Sequence, residues 1–475
     1  MDRRTRTVAT LGPATDRPGV LEQLIDAGLD VARINFSHGT ADEHLARIAR
    51  LRSVADAAKR SVAVMADLPG PKLRVLLDGP LELQPGQRIT LALRGDAAGD
   101  LRLTEPEAVA RIRTGQRVLL DDGRLQARVA AVTADGATLT VEVSGTLLPN
   151  KGVNLPDTEL IIPAVTRRDR EAIAVAAAAA VDWLALSFVR DPAAAHELRG
   201  VTRGHGLEAP VLAKIERPEA VARASAIVKA FDGIMVARGD LGVEIALEKV
   251  PHVQKRLINQ ARAAGKPVIT ATDMLDSMRH NPRPTRAEAS DVANAVYDGT
   301  DAVMLSGETA VGDYPVAALL CMNTILREAE KHQQEDGPRY LNLPKGDLHD
   351  HITHTTCVLA QEVKADAIVA PTITGRTARL VARHRPVAAI VAVSSSPTVV
   401  RQLGVVWGVR AVPIPFAVRS GDDRLQAAVR AAFLGGAVQA GTLVVVVANH
   451  PIEGGEAAPT IRVVRVGDEG RACEP

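Results

Sequence analysis

The chain contains few of the residues that mark several large classes of protein. Aromatic residues make up only 2% of its 475 positions, which argues against a platform of stacked rings for single-stranded nucleic acid. Its three cysteines are scattered, without the spacing of a metal site or a redox pair, and this is typical of a reducing compartment. The longest apolar run, residues 172–181, is too short to span a bilayer.

Neither the start of the chain nor its charge indicates export or a membrane anchor. The basic first residues are not followed by the apolar stretch and cleavage site of a signal peptide, so we expect a cytoplasmic protein. The 57 Lys and Arg residues nearly balance 56 Asp and Glu residues, which leaves a net charge of +1. This balance argues against a dedicated nucleic-acid binder and against a polybasic membrane anchor.

Predicted strands and helices alternate along residues 5–70 and again along 162–330. Together these parts give eight strands, each followed by a helix, which predicts an α/β fold with a (β/α)₈ TIM barrel. Between them, residues 75–155 carry short apolar runs separated by Gly, Pro and Asp turns, and this pattern predicts an inserted all-β domain. Beyond a polar linker at 331–347, renewed alternation predicts a separate open α/β domain.

The inserted domain divides the predicted barrel into two parts. In the second part, the pattern predicts single helices over 219–229 and 315–330. The predicted domains are the barrel at 1–70 and 158–332, a small β-barrel lid at 71–157, and a C-terminal regulatory or oligomerisation domain at 348–475.

The centre of the predicted barrel is the stretch 211–216, with the sequence VLAKIE. Side chains two apart on a strand share a face, so Lys214 and Glu216 point the same way at the strand's C-terminal end. The next strand, 233–237, runs into Asp240. Two carboxylates beside an ammonium group suit a Mg²⁺ ion and a phosphoryl group in transfer. A salt-bridged barrel end would contain the same residues.

Polar side chains follow most of the predicted barrel strands, and catalytic groups of such barrels lie at the strand ends. So many polar groups at one rim favour an enzyme, although alternation at residues 33–37 also fits a strand that runs into solvent. Residues 372–377 precede a helix and are compatible with a phosphate site or with a plain helix cap. The polar rim consists of Arg33, Asn35, Asp67, Ser187, Lys214, Glu216, Asp240, Thr272, Ser306 and Glu308.

Seven motifs occur in order along nearly the whole chain. They are ARINFSHG at 32–39, KGVNLP at 151–156, AKIE at 213–216, MVARGDLG at 235–242, PRPTRAE at 282–288, SDVANAV at 290–296 and LSGETA at 305–310. As a set they are specific, and the chain resembles the pyruvate kinase family. This resemblance implies transfer of the phosphoryl group of phosphoenolpyruvate to ADP, giving pyruvate and ATP in the last step of glycolysis.

The resemblance also implies roles for the residues at the barrel rim. Arg33 would contact the transferring phosphoryl group, and Lys214 would stabilise its charge in the transition state. Glu216 and Asp240 would bind Mg²⁺ or Mn²⁺, which also takes substrate oxygens.

Further positions match the family's contacts to the rest of the substrates. The Thr272 hydroxyl and the backbone N–H groups of Gly239 and Asp240 would hold the substrate carboxylate, and Thr272 lies near the site of enolate protonation. The β insertion would be the lid that closes over the site and excludes water. The positions matching nucleotide contacts are Asn35, His38, Arg74 and Lys151.

One departure from the family concerns the monovalent cation. Asn35, Ser37, Asp67 and the carbonyl of Leu68 match the positions that hold K⁺, but Lys72 stands where the family usually has Glu. A lysine ammonium carries the same unit charge as K⁺ and donates to the same oxygens. We therefore predict that K⁺ is not required; the alternative is that Lys72 points into solvent and K⁺ still binds.

Two other functions are compatible with much of this pattern. One is a catalytically altered or regulatory paralogue, although Lys214, Glu216 and Asp240 are all retained. The other is a different barrel enzyme acting on phosphoenolpyruvate, but the lid and the motif at 151–156 would then have no nucleotide to cover. The resemblance further implies a homotetramer that binds phosphoenolpyruvate and ADP or ATP.

Overall fold

The computed structural model describes residues 3–93, 99–336, 346–414, 421–451 and 457–475. Within these ranges, eight parallel strands form a closed barrel. Each strand pairs with the barrel strands before and after it along the chain, and the first strand pairs with the last. The predicted TIM-type fold class is confirmed. The barrel strands are Arg6–Leu11, Val31–Asn35, Ala63–Asp67, Trp183–Leu186, Val211–Ile215, Gly233–Ala237, Val268–Ala271 and Ala302–Leu305.

Helices cover the outside of the barrel, where apolar side chains of strands and helices form one core. Three of them, beginning at Ala41, Arg167 and Arg286, start with a capping box in which a threonine and an acidic residue satisfy free backbone N–H groups. The helices of this part are Val20–Asp26, Ala41–Ala57, Arg167–Ala178, Ala193–Gly204, Pro218–Ala222, Ala224–Ala230, Arg238–Glu244, Val250–Ala263, Arg286–Asp298, Gly307–Ala310 and Pro315–Asp336.

Two predicted helices differ from the structure. The helix predicted over 219–229 is two helices, because Arg223 between them has a non-helical backbone with ψ of 17°. The helix predicted to end at residue 330 continues to Asp336, so the first residues of the predicted linker are helical. The rest of that linker, residues 337–345, lies outside the described residues.

The predicted β insertion consists of short strands around a core of its own. Five of its strands form an antiparallel sheet, and two further pairs flank this sheet. The strands are Val75–Leu76, Leu81–Leu83, Arg88–Ala92, Arg102–Leu103, Arg117–Leu120, Leu125–Val132, Gly136–Val143, Gly145–Leu147 and Val153–Asn154.

The C-terminal part contains a six-stranded sheet in the described ranges. Four of its strands are parallel, and the last two add antiparallel at one edge. In sheet order the strands are Val409–Pro413, Ala389–Ser394, Ala367–Pro371, Leu443–Pro451, Ala457–Val466 and Ala472–Cys473. The helices are Leu348–Glu362, Arg376–Ala382, Pro397–Gln402 and Gly421–Leu434. The numerical domain boundaries given above stay a prediction.

The N-terminal ends of the barrel strands pack against this C-terminal part. Inward-facing barrel side chains and C-terminal residues form a single apolar cluster. The indole of Trp183 donates to the carbonyl of Gln402 at 3.0 Å, and buried Asp182 accepts from Arg52 and Arg401 at 2.7 and 2.8 Å. The opposite end of the barrel is thereby left for the polar rim. Within the described ranges, we find no helix with the length and apolar content needed to cross a membrane.

Candidate active site

Alternation along strand Val211–Ile215 turns Lys214 towards the barrel axis. Leu212 packs inside the barrel, whereas Ala213 and Ile215 belong to the outer core between strands and helices. Lys214 therefore follows Leu212 on the inner face, and its ammonium lies 2.9 Å from Glu216 Oε1. The predicted shared face of Lys214 and Glu216 is present in the structure.

Asp67 connects Lys214 to Arg33. The Arg33 guanidinium contacts Asp67 Oδ2 through Nε and Nη2, both at 2.6 Å, and Lys214 Nζ lies 3.3 Å from Asp67 Oδ1. Arg33 Nη1 also donates to Thr10 Oγ1 at 2.9 Å, while Lys214 Nζ donates to Ser187 Oγ at 2.8 Å. Two cationic side chains are thus fixed side by side at the C-terminal end of the barrel.

Mutual charges set the protonation of this cluster. Burial would lower the pKa of Lys214, but the Asp67 and Glu216 carboxylates more than offset it, so the pKa is raised. Burial would raise the pKa of Asp67, but the charges of Lys214 and Arg33 hold it below its usual range. Burial and the nearby charge of Asp240 raise the pKa of Glu216 despite the opposing charge of Lys214. Lys214 is therefore charged. For Glu216, the positive charge of Lys214 does not fully offset the cost of ionising a buried carboxyl near Asp240.

Glu216 and Asp240 fit the needs of a hard divalent cation. Glu216 Oε2 accepts the backbone N–H of Phe188 at 2.7 Å, whereas the buried Oε1 accepts no well-oriented hydrogen bond in the described part of the chain. The Lys214 ammonium forms an ion pair with Oε1 at 2.9 Å, so a cation bound at this oxygen would share it with Lys214. Carboxylate oxygens, together with substrate oxygens and water, are the ligands that Mg²⁺ prefers.

Thr272 is held in a strained backbone conformation beside Gly239. Its φ is 67°, which is unfavourable for a β-branched residue and costs on the order of 1–3 kcal/mol. The hydroxyl accepts the Gly239 N–H at 2.8 Å, and Arg238 Nη2 donates to the Thr272 carbonyl at 2.7 Å. The Asp291 carboxylate lies 2.6 Å from Arg238 Nη1, and this ion pair holds the guanidinium in place. The strain directs the hydroxyl towards the N-terminal turn of helix Arg238–Glu244, which also carries Asp240.

Of the predicted nucleotide contacts, Asn35 and His38 belong to the barrel part, and Arg74 and Lys151 belong to the β insertion. Lys151 Nζ pairs with Asp121 at 2.7 Å, and Arg74 donates to the carbonyl of Asn150 at 2.9 Å. Burial and the charge of Arg74 lower the pKa of His38. Arg74 is therefore near enough to His38 for its charge to act on the imidazole.

Lys72 joins the insertion to the candidate metal site. Its ammonium lies 3.0 Å from Asp122 Oδ1 in the insertion and 3.5 Å from Asp240 Oδ1 in the barrel. Burial would lower the pKa of Lys72, but Asp240 and Asp122 outweigh this and raise it. In the described residues Lys72 makes no ion pair with Asp67, and Asn35 Oδ1 instead accepts the Ser37 N–H at 3.1 Å.

Comparison with known families identifies the chain. A model described as pyruvate kinase, barrel domain, matches residues 2–319, and a model described as pyruvate kinase, alpha/beta domain, matches residues 350–464. The chain belongs to the pyruvate kinase family. The family resemblance and the enzyme class expected from the motifs are confirmed.

Full-length relatives in this family are similar over nearly the whole chain. The pyruvate kinase of Geobacillus stearothermophilus is 42% identical over 95% of this chain and 78% of its own length. That of Mycobacterium tuberculosis is 41% identical over 99% of this chain and 100% of its own length. The pyruvate kinase of Clostridium acetobutylicum is 40% identical over 94% of this chain and 96% of its own length.

Within this pyruvate kinase fold, the polar rim divides into a central cluster and a supporting part. The structure joins Arg33, Asp67, Ser187, Lys214 and Glu216 by direct contacts. Glu308 instead accepts hydrogen bonds from the backbone N–H groups of Ser306 and Leu275 at 2.7 and 3.1 Å. It thereby connects the segments that follow the last two barrel strands.

Three residues that support the site had been assigned no role from the sequence. They are Thr10, which fixes Arg33, and the pair Arg238 and Asp291, which holds Thr272. The sequence did contain a signal for Thr10, because it is a polar residue near the end of the first barrel strand. Arg238 and Asp291 are 53 positions apart, so only the fold brings them together.

Proposed function

We propose that this protein transfers the phosphoryl group of phosphoenolpyruvate to ADP, with Mg²⁺ or Mn²⁺, as the last step of glycolysis in the cytoplasm. The observation that carries the proposal is the cluster of Arg33, Lys214 and Glu216 at the end of the barrel strands, in a chain that belongs to the pyruvate kinase family. Its relatives from Geobacillus stearothermophilus and Mycobacterium tuberculosis, both named pyruvate kinase, support the same activity.

Arg33 and Lys214 are suited to a phosphoryl group in transfer. They are about one-tenth exposed and share Asp67 as their anchor, so they need little reorganisation when negative charge develops. Because Lys214 stays charged, it would stabilise the phosphoryl group most strongly as that group leaves the enolate oxygen. Asp67 acts as a positioning residue, since it orients both cations.

Glu216 and Asp240 would hold the divalent cation. The cation, when bound, neutralises charge on the phosphoryl and enolate oxygens and orients them. The Oε1 of Glu216, which accepts no well-oriented hydrogen bond in the described ranges but is paired with Lys214, and the partly exposed carboxylate of Asp240 are the groups that fit it in this chain. The pKa of Glu216 is raised by burial and by Asp240, so its ionised form gains from a nearby cation.

Thr272 and the first turn of helix Arg238–Glu244 would bind the substrate carboxylate. Backbone N–H groups at a helix start favour an anion, and Gly239 and Asp240 stand there. In the structure the Thr272 hydroxyl accepts the Gly239 N–H. A bound carboxylate would take that N–H group, and the hydroxyl would be left beside the carbon that receives a proton.

The β insertion would close over the nucleotide as a lid. Asn35, His38, Arg74 and Lys151 would contact the nucleotide from the barrel and from the insertion. Lys72 supports this proposal, because its two ion pairs connect the insertion with Asp240 across the site. Closure would exclude water, which protects the phosphoryl group from hydrolysis.

We further propose that the activity does not need K⁺. Lys72 brings a unit positive charge to the edge of the active site, where it would disfavour a second cation nearby. The Leu68 side chain offers no oxygen to the pocket formed by Asn35, Ser37 and Asp67. In this structure Lys72 contacts Asp240 and Asp122 and no residue of that pocket among the described ion pairs, so its charge would act on the pocket from outside it.

Two alternatives remain testable in the same experiment. A regulatory paralogue would have lost Lys214, Glu216 or Asp240, and this chain keeps all three. A lyase acting on phosphoenolpyruvate would not need Lys151 or a lid.

Pyruvate formation from phosphoenolpyruvate is measured with a coupled assay, with and without ADP and with and without Mg²⁺. Turnover that requires both supports the proposal, turnover without ADP indicates the lyase, and no turnover indicates the paralogue. Sedimentation of the purified chain tests the proposed homotetramer.

A further inference from the structure

A cleft rich in positive charge lies between the barrel and the C-terminal part, at the far end of the strands from Lys214. Lys266 and Asp301 line it just before two barrel strands, while Arg379 and Arg385 come from the helix Arg376–Ala382 and the turn after it. The cleft is open to solvent at its mouth. None of these side chains belongs to the candidate active site.

The barrel side and the C-terminal side of this cleft both carry cations without a carboxylate partner. Arg385 pairs with Asp301 at 3.2 Å, but neither Lys266 nor Arg379 has a carboxylate within 4.0 Å anywhere in the described ranges. Lys266 donates to the backbone carbonyls of residues 229 and 231, and Arg379 donates to that of residue 374 at 3.2 Å. These carbonyls carry only partial charge, and the carboxylate of Asp232 acts on both cations from more than 4.0 Å away without pairing with either.

Burial makes this excess of charge unfavourable. It lowers the pKa of Lys266 to about 8; Asp232 opposes this effect, whereas Arg199 and Arg379 add to it. Burial also lowers the pKa of the Arg379 guanidinium. Arg383, beside them, is already paired with Asp350 at 3.1 Å. An anion in the cleft would relieve the repulsion between Lys266 and Arg379.

A buried donor in the same cleft also lacks an acceptor. Arg385 Nε has no hydrogen-bond partner within the described part of the protein, although its side chain is only 6% exposed. The other guanidinium nitrogens donate to Asp301, to the carbonyl of Ala382 and to that of Gly299. The centroid of the Trp407 ring lies 4.7 Å from Arg385 Cζ and offers an aromatic face but no oxygen. A buried N–H group without an acceptor is rare and indicates a missing partner.

We propose that this cleft binds a phosphoryl oxyanion, as inorganic phosphate or as the phosphate of a small phosphomonoester, between Lys266 of the barrel and Arg379 of the C-terminal part. A guanidinium offers parallel N–H groups that match two phosphate oxygens, and an ammonium adds a point charge. Because the two cations come from different parts of the chain, the bound anion ties those parts together. The site is separate from the proposed catalytic chemistry and does not depend on it.

The test compares phosphate binding by the wild-type full chain and by two variants of one helix. Inorganic phosphate and glycerol phosphate are titrated by calorimetry and by thermal unfolding, with chloride holding the ionic strength constant. Phosphate should raise the Tm of the wild type, since it binds the folded state. Arg379→Gln should weaken binding by at least about tenfold, because charged hydrogen bonds are lost. Arg376→Gln is the matched control, since Arg376 is exposed and paired with Asp347 at 2.6 Å.

Further variants separate this cleft from the other possible anion sites. Lys214→Met should keep phosphate binding, which excludes the active site, and Lys266→Gln should lose it as Arg379→Gln does. Wild-type binding should weaken as pH rises through about 8, because Lys266 then loses its proton in the presence of Asp232, Asp301, Arg199, Arg262 and Arg379.

The proposal is overturned if phosphate raises the Tm no more than chloride, or if both cleft variants bind as the wild type does. Equal loss in Arg376→Gln would place the anion at residues 372–377 instead and would also overturn it. Binding of glycerol phosphate as tight as that of phosphate identifies a phosphomonoester site, and binding of phosphate alone identifies a site for the free anion. Either result supports the proposed cleft.

Discussion

Replacing Lys214 by methionine tests the centre of the proposed site, because methionine keeps much of the length of the side chain and removes its charge. The ammonium lies within 3.3 Å of Asp67, Ser187 and Glu216. The fold should survive, because Asp67 keeps its two contacts with Arg33, while buried Glu216 loses its ion pair and can take up a proton instead of remaining an unpaired charge. The loss should appear in catalysis.

The size of the effect follows from the role of the charge. Removing one electrostatic donor from a transition state costs about 10²–10³ in kcat, and removing a cation from a transferring phosphoryl group costs about 10³–10⁵. We therefore expect the kcat of Lys214→Met to fall by at least about 10³, or about 4 kcal/mol, with little change in the KM for phosphoenolpyruvate. Arg33 and the metal would still bind the ground state.

A second readout follows from the pKa of Glu216. The charge of Lys214 lowers this pKa and opposes the effects of burial and Asp240, so methionine at position 214 raises the pKa further. Metal binding needs the ionised carboxylate, and the ionised fraction falls as pH is lowered through the pKa. The Mg²⁺ concentration for half-maximal activity should thus rise more steeply towards low pH in the variant than in the wild type.

The assay follows pyruvate formation at saturating ADP over a range of phosphoenolpyruvate and Mg²⁺ concentrations. Lys255→Met is a suitable control, because Lys255 is 52% exposed and pairs with Asp298 away from the rim. Near-normal kcat in Lys214→Met would refute the reasoning. So would a change in KM alone, since it would mean that Lys214 binds the substrate without acting in the transition state.

Three other predictions concern the parts around this centre. Replacing residues 75–155 by a short linker should leave the barrel folded, judged by circular dichroism, but abolish transfer to ADP, because water is no longer excluded. Activity in tetramethylammonium buffer should change little when KCl is added at constant ionic strength, and Lys72→Glu should create a dependence on K⁺. Arg238→Met should raise the KM for phosphoenolpyruvate by about ten- to hundredfold, because Thr272 then relaxes from a conformation strained by about 1–3 kcal/mol.

Each of these has a clear contrary result. Full transfer activity in the shortened chain would mean that the insertion is not a lid. A many-fold activation of the wild type by KCl would rule out the role of Lys72. For Arg238→Met, an unchanged KM would show that Thr272 keeps its conformation without the guanidinium; Arg256→Met, on the exposed side of helix Val250–Ala263, serves as the control.

Much of the fold could be predicted from the sequence because its signals are local. Strand Val211–Ile215 and strand Gly233–Ala237 have the predicted bounds, since short apolar runs with turn residues at both ends leave few alternatives. The helix predicted over 219–229 was wrong as a single element. The break lies at Arg223, whose backbone is not helical, and no glycine or proline marks that position in the sequence.

The chemistry at the centre of the site was predicted for the same local reason. Lys214 and Glu216 are two residues apart on one strand, and a period of two places both side chains on one face whatever the rest of the chain does. The motifs then indicated the family. The sequence by itself therefore determined the barrel, the inserted β domain, the C-terminal α/β part and the identity of the central charged residues.

Only the tertiary structure decided which distant residues support that centre. Closing the barrel places Asp67 between Arg33 and Lys214, and it brings Asp291 to Arg238, so that Thr272 is held in its strained conformation. Packing of the C-terminal part against the barrel creates the cationic cleft in the same way. Such contacts join residues tens to hundreds of positions apart, and their energies depend on burial and on distances of a few ångströms, which no local pattern encodes.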